Sequence, residues 1–347
     1  MLKLNRVDGY GSDEILEYLS VCPNSLIYGT PPFIQLLSGH LDAESFWLEV
    51  RRDQEIVGML PVLVKYGRLG PVFNSLAYYG SNGGVIQRER DDEAKELLIA
   101  HFYRLAEIAE AASATLISNP LEKDAAFYHI KTGYDFLDER IGQITHFDGK
   151  TASGLMETFQ DPRQRNIKKA QREGVVVSAS NDVDAMDFLY RTHVENMLAI
   201  GGLAKKKSFF DSVIQDLDEG SWKIYTAKKD GVPVAALLVF YFNHTVEYFC
   251  PVVLEQFRSS QSLSLIVYTA MQDAIAADYR NWNWGGTWLS QGGVYDFKKR
   301  WGTSEYPYYY YTRVFKPEVR DASKEELLDE YFGFFVLPFT ALKQVAR

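Results

Sequence analysis

The chain repeats one order of elements at a spacing close to half its length. Residues 46–66 and 222–242 each consist of two apolar, β-rich runs around a polar turn, which is the pattern of a β-hairpin. Each hairpin is followed by an amphipathic helical segment, at 91–112 and at 262–279, and then by a short strand segment. The pattern predicts two copies of one fold in tandem. A chance pairing of two ordinary hairpin-helix-strand segments is the alternative.

The predicted boundary lies near residues 146–154, "HFDGKTASG", where glycines and small polar residues follow a strand-like run. We therefore expect domains at 1–150 and 151–347, both of the α+β class, each with a mixed, mostly antiparallel sheet flanked by helices. Residues 324–347 read as a helix interrupted at Pro338. Its apolar side chains predict either a docking face on the second core or an anchor at a membrane surface.

Charge and cysteine usage limit the partners and the compartment. The 37 basic and 46 acidic residues give a net charge of −9, which argues against DNA and against non-specific nucleic-acid binding, although a local basic patch could still hold phosphates. Cys22 and Cys250 have no metal-ligand spacing and indicate a reducing interior. No segment of about 18 residues is free of charge, so we expect a cytoplasmic protein without membrane association.

Three motifs follow one another in the second half: "RQRNIKKAQREGVVV" at 163–177, "NWNWGGT" at 281–287 and "GVYDFKKRWG" at 293–302. In this order they resemble the tandem GNAT-fold acyltransferases of the FemAB type. The first half adds "SLAYYGSNGGVI" at 75–86, which looks like the loop that lines the acceptor site in that family. The resemblance implies two tandem GNAT-like domains. It also implies N-acyl transfer from an activated carrier to an amine of a cell-envelope or amino-sugar precursor.

The resemblance implies a catalytic role for Lys298, the lysine of the Phe-Lys pair. Acyl transfer needs a donor that holds the developing oxyanion, and an ammonium group can be that donor. The substrate contacts implied in the same motifs are Trp284, Gly285, Gly286 and Phe297. The alternative is that Phe297 and Trp301 form the core face of a helix, with Lys298 in solvent.

The group that accepts the proton of the amine is less clear from the sequence. Asp296, beside Phe297, and Glu247, on a predicted strand at 246–252, are the candidate bases, because burial can raise the pKa of a carboxylate towards neutrality. Both could equally be surface or ion-paired carboxylates. None of the six histidines stands in a nucleophilic or metal-binding pattern, so neither a Ser-His-Asp nor a zinc mechanism is expected.

Two carriers are considered, acyl-CoA and aminoacyl-tRNA, each as a co-substrate and with no tightly bound cofactor. GNAT enzymes that use acyl-CoA have a glycine-containing turn at a helix start, and the corresponding stretch here, 256–265, has Arg258 and Ser260 but no glycine. A carrier with phosphates could instead meet the basic cluster of the first motif. The cluster consists of Arg163, Arg165, Lys168, Lys169 and Arg172, and a solvated helix face explains it equally well.

The acceptor is expected to be a small molecule or a peptide or sugar that carries an amine. The residues of the 75–86 loop that suit it are Tyr78, Tyr79, Asn82 and Gly83, although a hairpin turn with core tyrosines explains them too. Ser81 stands where an acid is frequent in the family, so the acceptor differs from the usual one. Two other hypotheses stay open, a GNAT-derived binding protein without turnover and a membrane-surface accessory protein.

Overall fold

The chain forms two compact units. The structure is a computed structural model that describes residues 1–8, 13–76 and 83–341. The first unit comprises Met1–Ile141 and the segment from Tyr306 on, and the second comprises Gly142–Glu305. The chain therefore leaves the first unit once and returns to it after completing the second.

The first 146 residues supply most of the first unit and one strand that continues into the second. Their strands and helices are β1 (Leu2–Asp8), α1 (Asp13–Val21), α2 (Pro31–Leu41), β2 (Glu44–Arg52), β3 (Glu55–Lys65), β4 (Val72–Asn74), α3 (Asp92–Ile108), β5 (Ser113–Ile117), α4 (Ala125–Lys131) and β6 (Phe136–His146).

The remaining elements begin with those of the second unit. They are α5 (Ala152–Glu157), α6 (Arg163–Arg172), β7 (Val176–Ser180), α7 (Val183–Ala199), α8 (Lys207–Asp216), β8 (Trp222–Lys229), β9 (Val232–Phe242), β10 (Thr245–Val253), α9 (Ser262–Ala276), β11 (Asn281–Trp288) and α10 (Gly292–Lys299). The chain then continues through β12 (Ser304–Val314) and α11 (Lys324–Glu330).

The sheet of the first unit has the strand order β1-β2-β3-β4-β5-β12. Its pairs are antiparallel except β4–β5, which is parallel. The β2–β3 hairpin turns at Asp53 and Gln54, both with positive φ, a conformation that polar residues at tight turns tolerate. Helix α3 begins after Asp91, whose side chain accepts a hydrogen bond from Ala94 N, and it buries Leu98 and other apolar residues in the core beside this sheet.

The sheet of the second unit has the order β6-β11-β10-β9-β8-β7. Here too a parallel pair, β10–β11, occurs, and the pairs from β10 to β7 are antiparallel. The β8–β9 hairpin turns at Asp230 and Gly231, again with positive φ. Helix α9 packs on this sheet and contributes Ile266 and Val267 to the second core. The second unit thus repeats the order of the first.

The repeat predicted from the sequence is confirmed element by element, and so is the α+β class. The hairpin β2–β3 corresponds to β8–β9, helix α3 to α9, and the strand β5 to β11. In both units the strand after the helix pairs in parallel with the strand before it. Each unit thus contains mixed, mostly antiparallel strands with flanking helices.

The end of the chain differs from the prediction, which placed 151–347 in one domain and docked the C-terminal segment on the second core. Strand β12 pairs with β5 of the first unit, with Tyr310 opposite Ile117, and carries the following residues to that unit. Helix α11 ends at Glu330, well before the predicted break, and Phe334 lies buried beyond it. The docking prediction was wrong because the sequence of a strand does not by itself specify the strand with which it pairs.

The C-terminal segment is held to the first unit by specific hydrogen bonds. The Tyr331 hydroxyl donates to Gly70 O at 2.9 Å, and Phe335 N donates to Asn74 Oδ1 at 2.7 Å. Asn74 Nδ2 donates back to Phe335 O at 2.9 Å. Within the described part of the chain, no helix combines the length and the apolar character needed to cross a bilayer.

Candidate functional site

The sheet of the second unit opens between β10 and β11. The two strands pair only from Thr245 to Glu247 on β10 and from Asn281 to Asn283 on β11, although both continue for several residues. A bulge between Tyr248 and Cys250 marks β10 where the pairing stops. Bulges bend a strand and increase its twist. The result is an opening between two strand segments at the glycine-containing end of β11, which we call the β10–β11 opening.

Lys298 lies at the end of β11 beside this opening. It is 6% exposed, and its Nζ donates to Thr287 Oγ1 at 2.9 Å, to Gly286 O at 3.2 Å and to Gly285 O at 3.4 Å. No described carboxylate lies within ion-pair distance. Burial lowers the pKa of Lys298 to about 7, because a charged ammonium is poorly solvated there. The side chain is therefore not the solvated lysine of the alternative interpretation.

The glycines at 285 and 286 shape the strand end that Lys298 contacts. Gly285 has φ +69°, a left-handed conformation that glycine adopts without a steric penalty, and its N–H donates to Asn283 Oδ1 at 3.0 Å. Both glycines are partly exposed. Their carbonyls face the ammonium of Lys298, so this stretch of backbone is both reachable and held in one orientation.

Trp284 and Phe297 form an aromatic layer next to the opening. Trp284 is 2% exposed, and its Nε1 donates to Thr145 Oγ1 at 3.0 Å. Its ring centre lies 4.8 Å from that of Tyr248 and 6.2 Å from that of Phe297. Trp301 closes the layer at 5.6 Å from Trp284. Trp284 is thus a core residue, whereas Phe297 is partly exposed and better placed for contact with a substrate.

The structure separates the two candidate bases. Glu247 is 1% exposed and accepts a hydrogen bond from Asn283 Nδ2 at 3.1 Å, at the last pair before the strands part. Asp296 lies on the exposed surface of α10. Positions two apart on a helix point about 200° from each other, so Asp296 does not share the side of Lys298. Of the two carboxylates, Glu247 is the one buried at the opening.

The basic residues of the first motif do not form one cluster. Arg165 and Arg172 are exposed on α6, and Arg165 pairs with Asp161 at 2.7 Å. Lys169 pairs with Glu173 at 3.6 Å. The exposed side chains line an open depression of about 540 Å³. Arg163 points the other way and is buried.

At the start of α9, the serine hydroxyls form hydrogen bonds with each other and with the local backbone. Ser260 is 2% exposed, and its hydroxyl donates to Phe257 O at 2.6 Å and lies 2.6 Å from Ser262 Oγ. Its proton is therefore committed to the local turn. Arg258 lies on the surface before the turn. Only Arg258 of this pair is available to a ligand in solution.

The candidate acceptor loop can be described only in part. Tyr78, Tyr79 and Asn82 lie outside the described residues. Gly83 N donates to Ile117 O at 3.2 Å, and a Cβ at this position would come within 2.6 Å of Leu76 Cβ. Gly83 therefore meets a packing requirement of the first unit, whatever its role towards a substrate.

Comparison with known proteins adds to this geometry. The sequence profile of the "Acetyltransferase (GNAT) domain" family matches residues 163–299, an interval that begins at Arg163 and includes Lys298. The crystal structure of FemX aligns with a TM-score of 0.71 over 88% of this chain and 96% of that chain, at 14% identity. This chain has the tandem GNAT fold of FemX. The resemblance predicted from the sequence is confirmed at the level of the fold.

Two other solved structures align less closely. A tandem GNAT protein from the clavulanic acid biosynthesis pathway aligns with a TM-score of 0.52 over 91% of this chain and 99% of that chain, at 14% identity. L-PGS from Bacillus licheniformis aligns with a TM-score of 0.53 over 84% of this chain and 93% of that chain, also at 14% identity. No curated protein sequence matches this chain significantly. At 14% identity these alignments show a shared fold and name neither an activity nor a donor or acceptor for this chain.

Three residues of this GNAT site were not predicted from the sequence, namely Thr287, Asn283 and Thr145. Thr287 accepts the shortest hydrogen bond of Lys298, and Asn283 links Glu247 to the backbone of Gly285. Asn283 could have been identified from the sequence, since a polar residue between two tryptophans in a buried strand needs a hydrogen-bond partner. Among the described residues of the fold, no three His, Cys, Asp or Glu side chains converge as metal ligands would.

Proposed function

We propose that the protein transfers an acyl or aminoacyl group from an activated carrier to an amine, at the β10–β11 opening of its second unit. One observation carries the proposal. Lys298 is buried at the end of a splayed strand, next to two partly exposed glycines and without a described carboxylate partner. A buried unpaired ammonium is costly to a fold, and it suits a site where negative charge develops during a reaction.

In the proposed reaction the amine nitrogen attacks the carbonyl carbon of the carrier ester or thioester. Lys298 donates one hydrogen to the developing oxyanion, and the bond to Gly285 O, the longest of its three at 3.4 Å, is the one given up. The contacts to Thr287 and Gly286 keep the ammonium in place. The amide bond forms, the bond from carbon to the carrier breaks, and the leaving oxygen or sulfur takes a proton.

Glu247 is the proposed acceptor of the amine proton. Its carboxylate is buried at the last pair of the β10–β11 ladder, and its partner Asn283 also holds the backbone at Gly285. A general base has to lie within hydrogen-bond reach of the proton that it takes. Proton acceptor and oxyanion donor would then both lie where the two strands part.

The carrier is proposed to be an aminoacyl-tRNA or an acyl-CoA, and the acceptor an amine of a cell-envelope or amino-sugar precursor in the cytoplasm. The cations of α6 support a carrier with phosphates, with exposed Arg165 and Arg172 and partly exposed Lys169 as its contacts and Arg258 as a further one. The inward hydroxyl of Ser260 argues against a glycine-type pyrophosphate turn at α9.

A second candidate is a GNAT-derived binding protein without turnover. The observation that favours it is that all three hydrogens of the Lys298 ammonium already have acceptors within the protein. In that case Lys298 would hold the end of β11 against α10 and would contribute no catalysis.

One experiment tests both candidates. The full chain is incubated with a panel of acyl-CoAs and charged tRNAs and with amine acceptors, and products are identified by mass. Lys298→Met is expected to slow transfer at least about 100-fold, the usual loss when one oxyanion donor is removed. Lys299→Met is the matched control, because Lys299 is the exposed neighbour on the same helix. Unchanged turnover in Lys298→Met would remove Lys298 from the mechanism, and no consumption of any carrier would favour the binding protein.

A further inference from the structure

Arg163 is a buried cation that stands apart from the other basic residues of α6. It is 8% exposed, and its guanidinium carbon lies 4.3 Å from the ring centre of Phe297 and 5.4 Å from that of Trp301. Both aromatic residues lie on or just after α10, the helix that carries Lys298. Arg163 therefore belongs to the surroundings of the β10–β11 opening and not to the outer face of α6.

No described carboxylate pairs with this guanidinium. Its one hydrogen bond to the described residues is a 3.5 Å contact from Nη2 to Phe297 O, and its Nε has no partner among them. By contrast, Arg140, another buried arginine, forms an ion pair with Asp138. A guanidinium has five N–H donors in one plane. Most of those of Arg163 are left without an acceptor in the described part of the chain.

The aromatic rings offset only part of the energy needed to bury this charge. A cation–π contact contributes less free energy than the burial of an unpaired ion costs. Neither ring offers an oxygen or nitrogen acceptor for the N–H donors of the guanidinium. Burial and the nearby charge of Arg300 both lower the pKa of Arg163, which shows that the surroundings disfavour the charge. An acceptor in the guanidinium plane is what the site lacks.

We propose that Arg163 binds an anionic group, a carboxylate or a phosphate, on a molecule that occupies the β10–β11 opening. The planar fork of arginine matches both groups with two parallel hydrogen bonds. Tyr248 comes from β10 at the bulge, and its ring packs on Trp284, which in turn contacts Phe297. The guanidinium of Arg163 packs on Phe297 and Trp301 of the same aromatic layer, beside the opening.

The identity of the bound molecule, a substrate, rests on the proposed function. The assignment of Arg163 narrows the class of substrate. A substrate would carry a negative charge close to the bond that forms. The charge is either a phosphate of the carrier or a carboxylate of the acceptor. The two sources share the chemistry that Arg163 recognises, and an experiment separates them.

The test is thermal unfolding of the full chain with inorganic phosphate, with acetate, or with chloride at matched ionic strength. Wild-type protein is expected to gain about 2–4 °C in Tm at roughly ten times the Kd of the preferred anion. A gain with phosphate alone assigns the site to a carrier phosphate, and a gain with acetate alone assigns it to a carboxylate. Arg163→Met is expected to show neither gain. Without anions it should be at least as stable as wild type, since it removes an unpaired buried charge.

Two further variants complete the design. Arg191→Met, on the exposed face of α7, is expected to keep the anion-dependent gain. Arg163→Lys keeps the charge without the fork and should need at least about tenfold more anion for the same gain. An equal gain in wild type and Arg163→Met overturns the proposal. The proposal is also overturned if the Tm of the wild type responds to neither anion. If Arg163→Met is then markedly less stable than wild type, Arg163 is a packing residue. Since no turnover is measured, the result stands even if no carrier is consumed.

Discussion

Lys298 couples the stability of the fold to pH. Burial lowers its pKa to about 7 in the folded protein, against 10.5 in the unfolded chain. Below pH 7 the lysine is charged in both states, and the penalty for the buried charge is fully present. Between pH 7 and 10.5 the unfolded chain binds a proton that the folded protein lacks, so in this window Lys298 makes the free energy of unfolding rise with pH.

We therefore expect Lys298→Met to be more stable than wild type at pH 7, by a few kcal/mol at most. The advantage should be largest where the folded protein has to keep the ammonium charged, that is, at and below pH 7. Urea unfolding of both proteins at several pH values measures the difference. A variant that is less stable than wild type at neutral pH would mean that the three hydrogen bonds of Lys298 outweigh its desolvation.

The same proton governs the expected pH dependence of the reaction. If the ammonium of Lys298 holds the oxyanion, the single-turnover rate should fall as pH rises through about 7, once saturating substrate removes effects on binding. Quenched-flow measurements from pH 6 to 9 give the profile. A rise through this range that Lys298→Met abolishes would instead identify the neutral side chain of Lys298 as a base, in contradiction to the proposed role.

Residue-level features of the site were partly predictable. The Phe-Lys pair and the two glycines could be singled out because they form short local motifs. The burial of Arg163 could not be predicted, because the five basic residues of α6 are equivalent until it is known which face of the helix packs against the core. The side on which Asp296 lies could not be predicted for a related reason, since it depends on how α10 is rotated against β11.

At the scale of elements, the junction between β11 and α10 contains glycines with different requirements. Gly285 has φ +69°, whereas Gly293 lies in the first turn of α10, and a Cβ added there would meet no atom within 4 Å. Gly285→Ala should lower the free energy of unfolding by about 1 kcal/mol, and Gly293→Ala should raise it by about 0.5–1 kcal/mol. Urea unfolding of the pair, which differ only in position, checks this. Equal effects would show that the strand end relaxes freely around residue 285.

The hairpins were predictable and the β10–β11 opening was not. Each hairpin is specified by neighbouring residues, with alternating apolar runs and an Asp-containing turn at Asp53 or Asp230. The opening depends on where pairing stops between Glu247 and Asn283, which are far apart in sequence. Nothing local in either strand specifies that end point.

At the scale of the whole molecule, the C-terminal segment completes the first unit. Truncation after Ser323 should lower Tm and increase the binding of a hydrophobic dye, because it removes buried Phe334, Val336 and Leu337. Tyr331→Phe is the milder variant and removes the hydroxyl that contacts Gly70 O. Its loss should be about 1–2 kcal/mol. An unchanged Tm after truncation would mean that the segment covers the core without stabilising it.

The return of the chain to its first unit also has a consequence for biosynthesis. Strand β12 begins at Ser304, so the edge of β5 with which it pairs stays uncovered until the ribosome has translated all of the second unit. A nascent chain halted before that strand would hold a second unit with nearly all of its residues and a first unit without its last strand. The amino-terminal half of the protein is therefore the half that finishes folding last.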